Sequence, residues 1–301
     1  MPLKFWFSSV GHSVAFRFGF QNEQNLNMLF LGAAGTGKTS MARAVAKILR
    51  HMGILEKGHL VEVCRKDLVA EYSGQSAART AAKVKEALGG VLFIDEAYSL
   101  KHEEGKDSFG QEVVDTLVSE MENNRKRLVV IMAGYTREMA DFMRSNSGLE
   151  SRFPLSFEFP NYSYSEMAQI FRVMARARKL HVAVEEEKLV ELITSCIPRS
   201  VASKGNARFV RNLLEIACMR QAERLLKLPK RTREQVEEVA ERSRRLEEEG
   251  KEGAGREGWG RLTLLQLMTL EGEDFSAFTE KEFEGGKPFP SYPPLRMHLS
   301  S

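Results

Sequence analysis

Gly32-Ala33-Ala34-Gly35-Thr36-Gly37-Lys38-Thr39 constrains this chain more than any other stretch of it. The octapeptide follows a short apolar run, Met28 to Leu31, and opens a segment in which Met41, Val45, Ile48, Leu49 and Met52 recur at helical spacing. Its glycines allow successive backbone N–H groups to converge on one point, and the positive end of the following helix reinforces them. A chain that enters such a nest from a buried strand and leaves it through a helix calls for a mainly parallel sheet with helices on both faces. The spacing GxxxxGK[ST] arises by chance in a chain of this length on the order of one time in a hundred. Here it also stands in the strand-to-helix context that phosphate binding needs.

The rest of the sequence continues the alternation. Apolar runs predict further strands at His59 to Cys64, Val91 to Ile94, Leu128 to Met132 and Leu155 to Phe159. Helical stripes run over Lys38 to Met52, Thr80 to Leu88 and Phe109 to Met121. After Pro160 the pattern changes to helices alone, at Ser165 to Arg178, Glu185 to Ser195 and Ala207 to Leu226. The expected fold is α/β: a P-loop NTPase three-layer sandwich with a mainly parallel sheet over 27–160, followed by a small all-α lid over 161–228. Residues 229–261 read as a charged, solvated helix and linker, 262–278 as a last element of the lid, and 279–301 as a disordered tail.

Composition narrows the setting. A length of 301 residues suits one large or two modest domains. The 44 basic and 41 acidic residues leave a charge of only +3, which gives no global attraction to nucleic acid or to an anionic membrane. Cys64, Cys196 and Cys218 stand far apart with no CxxC pair, so neither a disulfide framework nor a zinc site is indicated and a reducing compartment is the easier reading. No run approaches the ~18 apolar residues of a membrane span. The expectation is a soluble, intracellular protein of the cytoplasm or an organelle lumen (plastid or mitochondrion). Residues 1–26 are rich in aromatics and hold no acid before Glu23; they read either as the remains of a targeting segment or as an edge packing on the domain.

In the phosphate loop, Lys38 is placed to reach the β/γ-phosphates of ATP, and the Thr39 hydroxyl to ligate Mg2+. Asp95-Glu96 directly follows the strand Val91 to Ile94, at the end of a parallel sheet that shares a crevice with the loop. Asp95 would hold Mg2+ directly or through water, and Glu96 would polarise the attacking water. The pair reads as a Walker B motif beside a Walker A loop, with Mg2+ bound alongside a nucleotide and its hydrolysis as the reaction; the family resemblance below implies that the nucleotide is ATP.

Seven further phrases carry a family likeness: GILEKGHLVEV (53–63), LVAEYSGQSAART (68–80), GGVLFIDEAYSL (89–100), FGQEVVDTLVSEMENNR (109–125), LVVIMAGYTREM (128–139), SNSGLESRFPLSFEFPNYS (145–163) and GNARFVRNLLEIA (205–217). With them the chain resembles the AAA+ ATPases, and among these the group of red-type Rubisco activase (CbbX), stage V sporulation protein K and the type VII secretion ATPases. The resemblance implies nucleotide binding by Gly32, Ala33, Ala34, Gly35, Thr36, Gly37, Lys38, Thr39 and Ser40 together with Asp95, and a catalytic set of Lys38, Glu96 and Arg152. Arg152 matches the arginine finger that enters a neighbour's ATP site, with Arg144 as the alternate. Arg208 matches sensor 2, Tyr135 stands at the sensor 1 position, and Tyr72-Ser73-Gly74 falls at the pore loop that grips a threaded polypeptide. A homo-oligomer, a hexameric ring, acting on a protein client is the implied assembly, with no nucleic acid partner and no membrane span.

Four departures from the family pattern stand out. Ser73 replaces a hydrophobic pore-loop residue, and Ala133-Gly134-Tyr135-Thr136 occupies a place where many members carry Asn or Thr. Residues 1–26 do not match the helix and Val-Gly segment that contact adenine in relatives, and Arg231 to Gly260 interrupts the lid. Two other readings stay open: a P-loop ATPase acting on nucleic acid through the basic stretch Arg208 to Arg231, and a non-hydrolysing, nucleotide-gated scaffold.

Overall fold

The computed structural model describes residues 25–70, 72, 74–100, 108–226 and 269–270. Most of the N-terminal segment, the charged insert and the C-terminal tail, along with Ser73, lie outside the described residues. The chain divides into two units, residues 1–166 with 203–208, and residues 167–202 with 209–301.

Five strands form the sheet of the first unit: β1 (Met28–Gly32), β2 (Leu60–Val63), β3 (Val91–Ile94), β4 (Val129–Gly134) and β5 (Leu155–Phe159). They run parallel in the order β2-β3-β4-β1-β5, with Met28 opposite Ile131 on one side and Leu155 on the other. Helices α1 (Lys38–His51), α2 (Arg65–Leu68), α3 (Gln75–Ala87), α4 (Ser108–Asn123), α5 (Thr136–Arg144) and α6 (Ser147–Glu150) connect them, with a 3-10 turn over Ala97–Leu100.

Successive residues of a strand point to opposite faces, and the core divides accordingly. Val91 and Phe93 join Phe30, Ile131 and the Met41, Val45 and Leu49 stripe of α1, whereas Leu92 and Ile94 join Val130, Met132 and the Val113, Leu117 and Met121 stripe of α4. All four side chains of β3 are fully buried, which is why the strand reads as an unbroken apolar run. Each such side chain contributes roughly 1.5–3 kcal/mol. The edge strand β5 instead alternates, its Phe157 and Phe159 rings packing on Phe30 at 5.9 and 5.0 Å between centroids.

Every strand expected in this unit is present. Helix α3, however, begins at Gln75 and not at Thr80. Its first turn is made of small polar residues with no apolar period; the left-handed Gly74 (φ +81°) opens it and the Ser76 hydroxyl accepts the Ala70 N–H at 3.0 Å.

In the second unit the expected helices are present, joined by one short strand pair that the sequence did not announce. Beside the body of α7 (Tyr164–Ala177), α8 (Glu186–Cys196), most of α9 (Arg199–Gly205) and α10 (Ala207–Leu226), two short strands pair in parallel, β6 (His181–Val182) and β7 (Thr269–Leu270). Two residues are too few to show an alternating pattern in sequence. The Arg172 guanidinium fastens the segment by donating to the carbonyls of Val182 and Val184. Phe171, Leu189, Ile193, Val210, Leu213 and Leu214 are fully buried in this unit. Among the described residues no helix is long and apolar enough to cross a membrane.

Candidate functional site

The loop between β1 and α1 can be understood by following its carbonyls. Lys38 Nζ donates to the carbonyls of Gly32 and Ala33 at 2.7 and 2.8 Å, and the Thr36 hydroxyl also donates to Ala33 at 2.8 Å. The Asn206 carboxamide donates to Ala34 at 3.1 Å, the Ala207 N–H to Gly35 at 3.2 Å and the Tyr162 hydroxyl to Thr36 at 2.8 Å. Every carbonyl from residue 32 to residue 36 thus has a donor, and those of Ala34, Gly35 and Thr36 are held from outside the loop. Planar peptides whose oxygens point away present their N–H edges to the other side, and such a run of N–H groups is an anion nest. Gly35 is essential to this packing, since its φ is +73° and a Cβ there would lie 2.1 Å from the Gly205 carbonyl oxygen. Helix α1 continues the nest. Its N-cap, Gly37, supplies no side-chain cap and no acid stands in its first turn, so its leading N–H groups and dipole suit a phosphate.

Charge converges at the same place. Burial pushes the Lys38 ammonium below the ordinary lysine range; Asp95 and Glu96 oppose that shift and the Arg208 guanidinium adds to it, so all three lie within electrostatic reach of Lys38. Asp95 stands where β3 ends, its N–H bonded to the Val63 carbonyl at 2.9 Å, and its carboxylate accepts the Glu96 N–H at 3.1 Å. Glu96 adopts a left-handed backbone (φ +50°), a conformation that costs a non-glycine residue on the order of 1 kcal/mol or more and that here turns an exposed carboxylate off the end of the strand. Thr39 is half-buried in the first turn of α1, with Ser40 exposed beside it. This donor set fits a magnesium-bound triphosphate: N–H groups and Lys38 for the phosphate oxygens, Thr39 and Asp95 for the cation.

Tyr135, exposed at the start of α5, stacks obliquely on Tyr98 with 6.0 Å between centroids. Sequence reasoning passed over Tyr98. Burial and the neighbouring Glu96 carboxylate push its phenol up to about 12, which places it against the acid pair and Tyr135 next to it. Gly134 makes room for this ring, since a Cβ there would lie 2.7 Å from Tyr98 Cδ1. Asn206 and Tyr162 were also passed over as loop contacts, although both lie inside motifs that stand out. Burial pushes the Tyr162 phenol up.

Arg152 is elsewhere. Its carbonyl accepts from Asn25 and Asn27 at 2.7 and 3.2 Å, where the chain enters β1, whereas the phosphate loop lies where the chain leaves it. Five residues of strand separate the two, roughly 16 Å at about 3.3 Å per residue. The Arg152 guanidinium donates to the Gly148 carbonyl at 2.9 Å and lies 3.6 Å from Glu122, while its Nε is buried with no partner among the described residues. Arg144 is exposed and pairs with Asp141 on its own helix. Tyr72 is 67% exposed in the connection before α3.

Comparison with known proteins places the chain in a family. Residues 28–161 match the model of the ATPase family associated with various cellular activities (AAA), and residues 163–249 that of the AAA lid domain. The chain is 46% identical to stage V sporulation protein K of Bacillus subtilis over 68% of its own length and 64% of that protein. It is 42% identical to the chloroplastic ribulose bisphosphate carboxylase/oxygenase activase of Cyanidioschyzon merolae, over 68% of its length and 69% of that protein. Among solved structures, a mutant RuvB of Thermotoga maritima superposes with a TM-score of 0.50 at 20% identity, covering 71% of this chain and 61% of that one, a likeness of fold. The chain thus spans just under two thirds of the sporulation protein.

Proposed function

Because the chain belongs to the AAA family of ATPases, we propose that it hydrolyses ATP within a ring of identical subunits, a hexamer, and uses the cycle to remodel a protein client. The observation that carries this reading is the electrostatic reach of Asp95, Glu96 and Arg208 to Lys38, in a loop whose Ala34, Gly35 and Thr36 carbonyls are held from outside it. The loop N–H groups and Lys38 bind the phosphates, and Thr39 and Asp95 hold Mg2+. The bound cation supplies charge neutralisation on the phosphate oxygens. Glu96 orients water toward the terminal phosphate and accepts its proton. Arg208 contacts the same phosphate from its own chain. Arg152, too far along β1 to serve its own loop, completes a neighbour's site, so activity depends on assembly.

Tyr72 suits a grip on a polypeptide: it is large, amphipathic and exposed. The relatives' names point to different clients, a carboxylase/oxygenase for one and a sporulation process for another, so the motor and not the client is shared. The test is Mg2+-dependent phosphate release by the purified protein, with Glu96→Gln as the trap. Hydrolysis in the wild type, with binding but no turnover in the variant and a polypeptide co-purifying with it, is the expected result. Absence of hydrolysis at high protein concentration, unchanged by Glu96→Gln, would overturn the reading; stimulation by DNA would redirect it to a nucleic acid motor.

A further inference from the structure

The donors that hold the outer carbonyls of the phosphate loop do not come from the loop. Gly32 and Ala33 are served by Lys38 and Thr36, but Ala34, Gly35 and Thr36 are served by Asn206, Ala207 and Tyr162, residues more than a hundred positions away in sequence. Asn206 is the hub of this set. It is fully buried and left-handed (φ +47°), a conformation that Asn tolerates better than most residues. Its amide nitrogen donates to Ala34 O at 3.1 Å, Asn161 Oδ1 at 3.0 Å and Ser203 O at 3.1 Å, and its Oδ1 accepts the Tyr162 N–H at 3.0 Å. The same residue therefore fixes Tyr162, whose hydroxyl holds Thr36, and stands two positions before Arg208.

We infer that Asn206 is a positioning residue that ties the phosphate loop to the arginine-bearing segment, so that Arg208 meets the terminal phosphate only when Asn206 holds Ala34. The inference rests on the nucleotide reading given above and deepens it into a mechanism of discrimination between ATP and ADP. A loop merely braced by Asn206 would lose affinity for both nucleotides alike, because both use the same N–H groups. A residue that also places Arg208 affects the nucleotide that carries a third phosphate more than the one that lacks it. Tyr162 provides the contrast, since its hydroxyl braces Thr36 alone.

Two variants remove the carboxamide donor. Asn206→Asp keeps the size and the acceptor for the Tyr162 N–H but removes the donor to Ala34 and adds a charge; Asn206→Gly accepts the left-handed backbone, removes the side chain altogether and adds no charge, so a loss shared by both comes from the missing donor. The experiment measures ATP and ADP affinity by titration calorimetry in the full chain, in these variants, in Tyr162→Phe, in Arg208→Ala and in the Asn206→Asp/Arg208→Ala double variant. The expected result is a drop of about tenfold in the ATP-over-ADP preference for both Asn206 variants, the scale of one buried hydrogen bond left unmade. Tyr162→Phe should weaken both nucleotides equally, and the double variant should discriminate no worse than Arg208→Ala alone. An unchanged preference in folded Asn206 variants, or losses that add to those of Arg208→Ala, would overturn the inference, as would unfolding of both Asn206 variants where Tyr162→Phe stays folded. Failure of the wild type to bind either nucleotide would sink the nucleotide reading itself, a distinguishable outcome.

Discussion

Arg152 offers the sharpest test of how the site is completed. Its carbonyl is held at the start of β1 by Asn25 and Asn27, and the phosphate loop begins where that five-residue strand ends. Roughly 16 Å of strand separates them, more than an arginine side chain spans, so Arg152→Ala cannot act on its own nucleotide directly. An arginine that stabilises the transferring phosphoryl group contributes about 10³–10⁵ in kcat, and the variant should lose activity on that scale while still binding ATP. The fold should barely register the change. The ion pair to Glu122 is 3.6 Å long with a largely exposed partner, a contact that contributes about 1 kcal/mol at most. The decisive assay mixes Arg152→Ala with Lys38→Ala subunits, each inactive alone, and measures phosphate release. In a head-to-tail ring roughly a quarter of the sites, one half times one half, then pair an intact loop with an intact neighbouring arginine. Activity recovered toward that fraction supports action between subunits. A mixture that co-assembles yet stays as inactive as its parents would refute the geometric reasoning.

Other consequences can be checked more directly. Gly35→Ala should abolish nucleotide binding and lower thermal stability by about 1–3 kcal/mol, because its Cβ would lie 2.1 Å from the Gly205 oxygen at a φ of +73°; a titration and a melting curve decide it. Phe93→Ala, at a fully buried position in the sheet, should cost about 3–5 kcal/mol in urea unfolding, a large share of a typical domain's stability. Glu166 caps α7 by accepting the Ser163 N–H at 2.9 Å, and that bond holds its carboxyl below the usual range. Its contribution is therefore present above the unfolded-chain value of about 4.3 and lost as pH falls through the lower folded value. Glu166→Ala should cost about 1 kcal/mol at neutral pH, and the two proteins should converge in stability in acid; a gap that persists there would count against the assignment.

The parts legible in sequence share a physical property: their signal is local. β1, β3 and β4 lie inside the sheet between its two cores, so each shows as a continuous apolar run bounded by polar residues. The phosphate loop and the Asp95-Glu96 pair declare themselves because strand, turn and helix follow in immediate succession. What stayed hidden depends on contacts between distant segments. The start of α3 rests on the left-handed Gly74, on the Ser76 hydroxyl accepting the Ala70 N–H and on Glu112 accepting the Ala77 N–H at 3.3 Å, none visible as a period. The pairing of β6 with β7 joins two dipeptides, each too short to announce a strand. Asn206 and Tyr162 stand inside recognisable phrases, but their bonds to Ala34 and Thr36 appear only when the chain is folded. Arg152 was legible as a residue, whereas its distance from its own loop was not.

The ammonium of Lys38 rests on the Gly32 and Ala33 carbonyls, which makes nucleotide arrival an exchange and not a simple addition. The side chain must give up two internal acceptors before it can serve a phosphate, and whatever those bonds contribute is subtracted from affinity. In return the loop keeps its shape, because the carbonyls of Ala34, Gly35 and Thr36 are held by donors that have no part in the trade. Lys38 thus acts as the protein's own placeholder cation, and the tightness of its grip on two carbonyl oxygens sets how much nucleotide is needed to dislodge it.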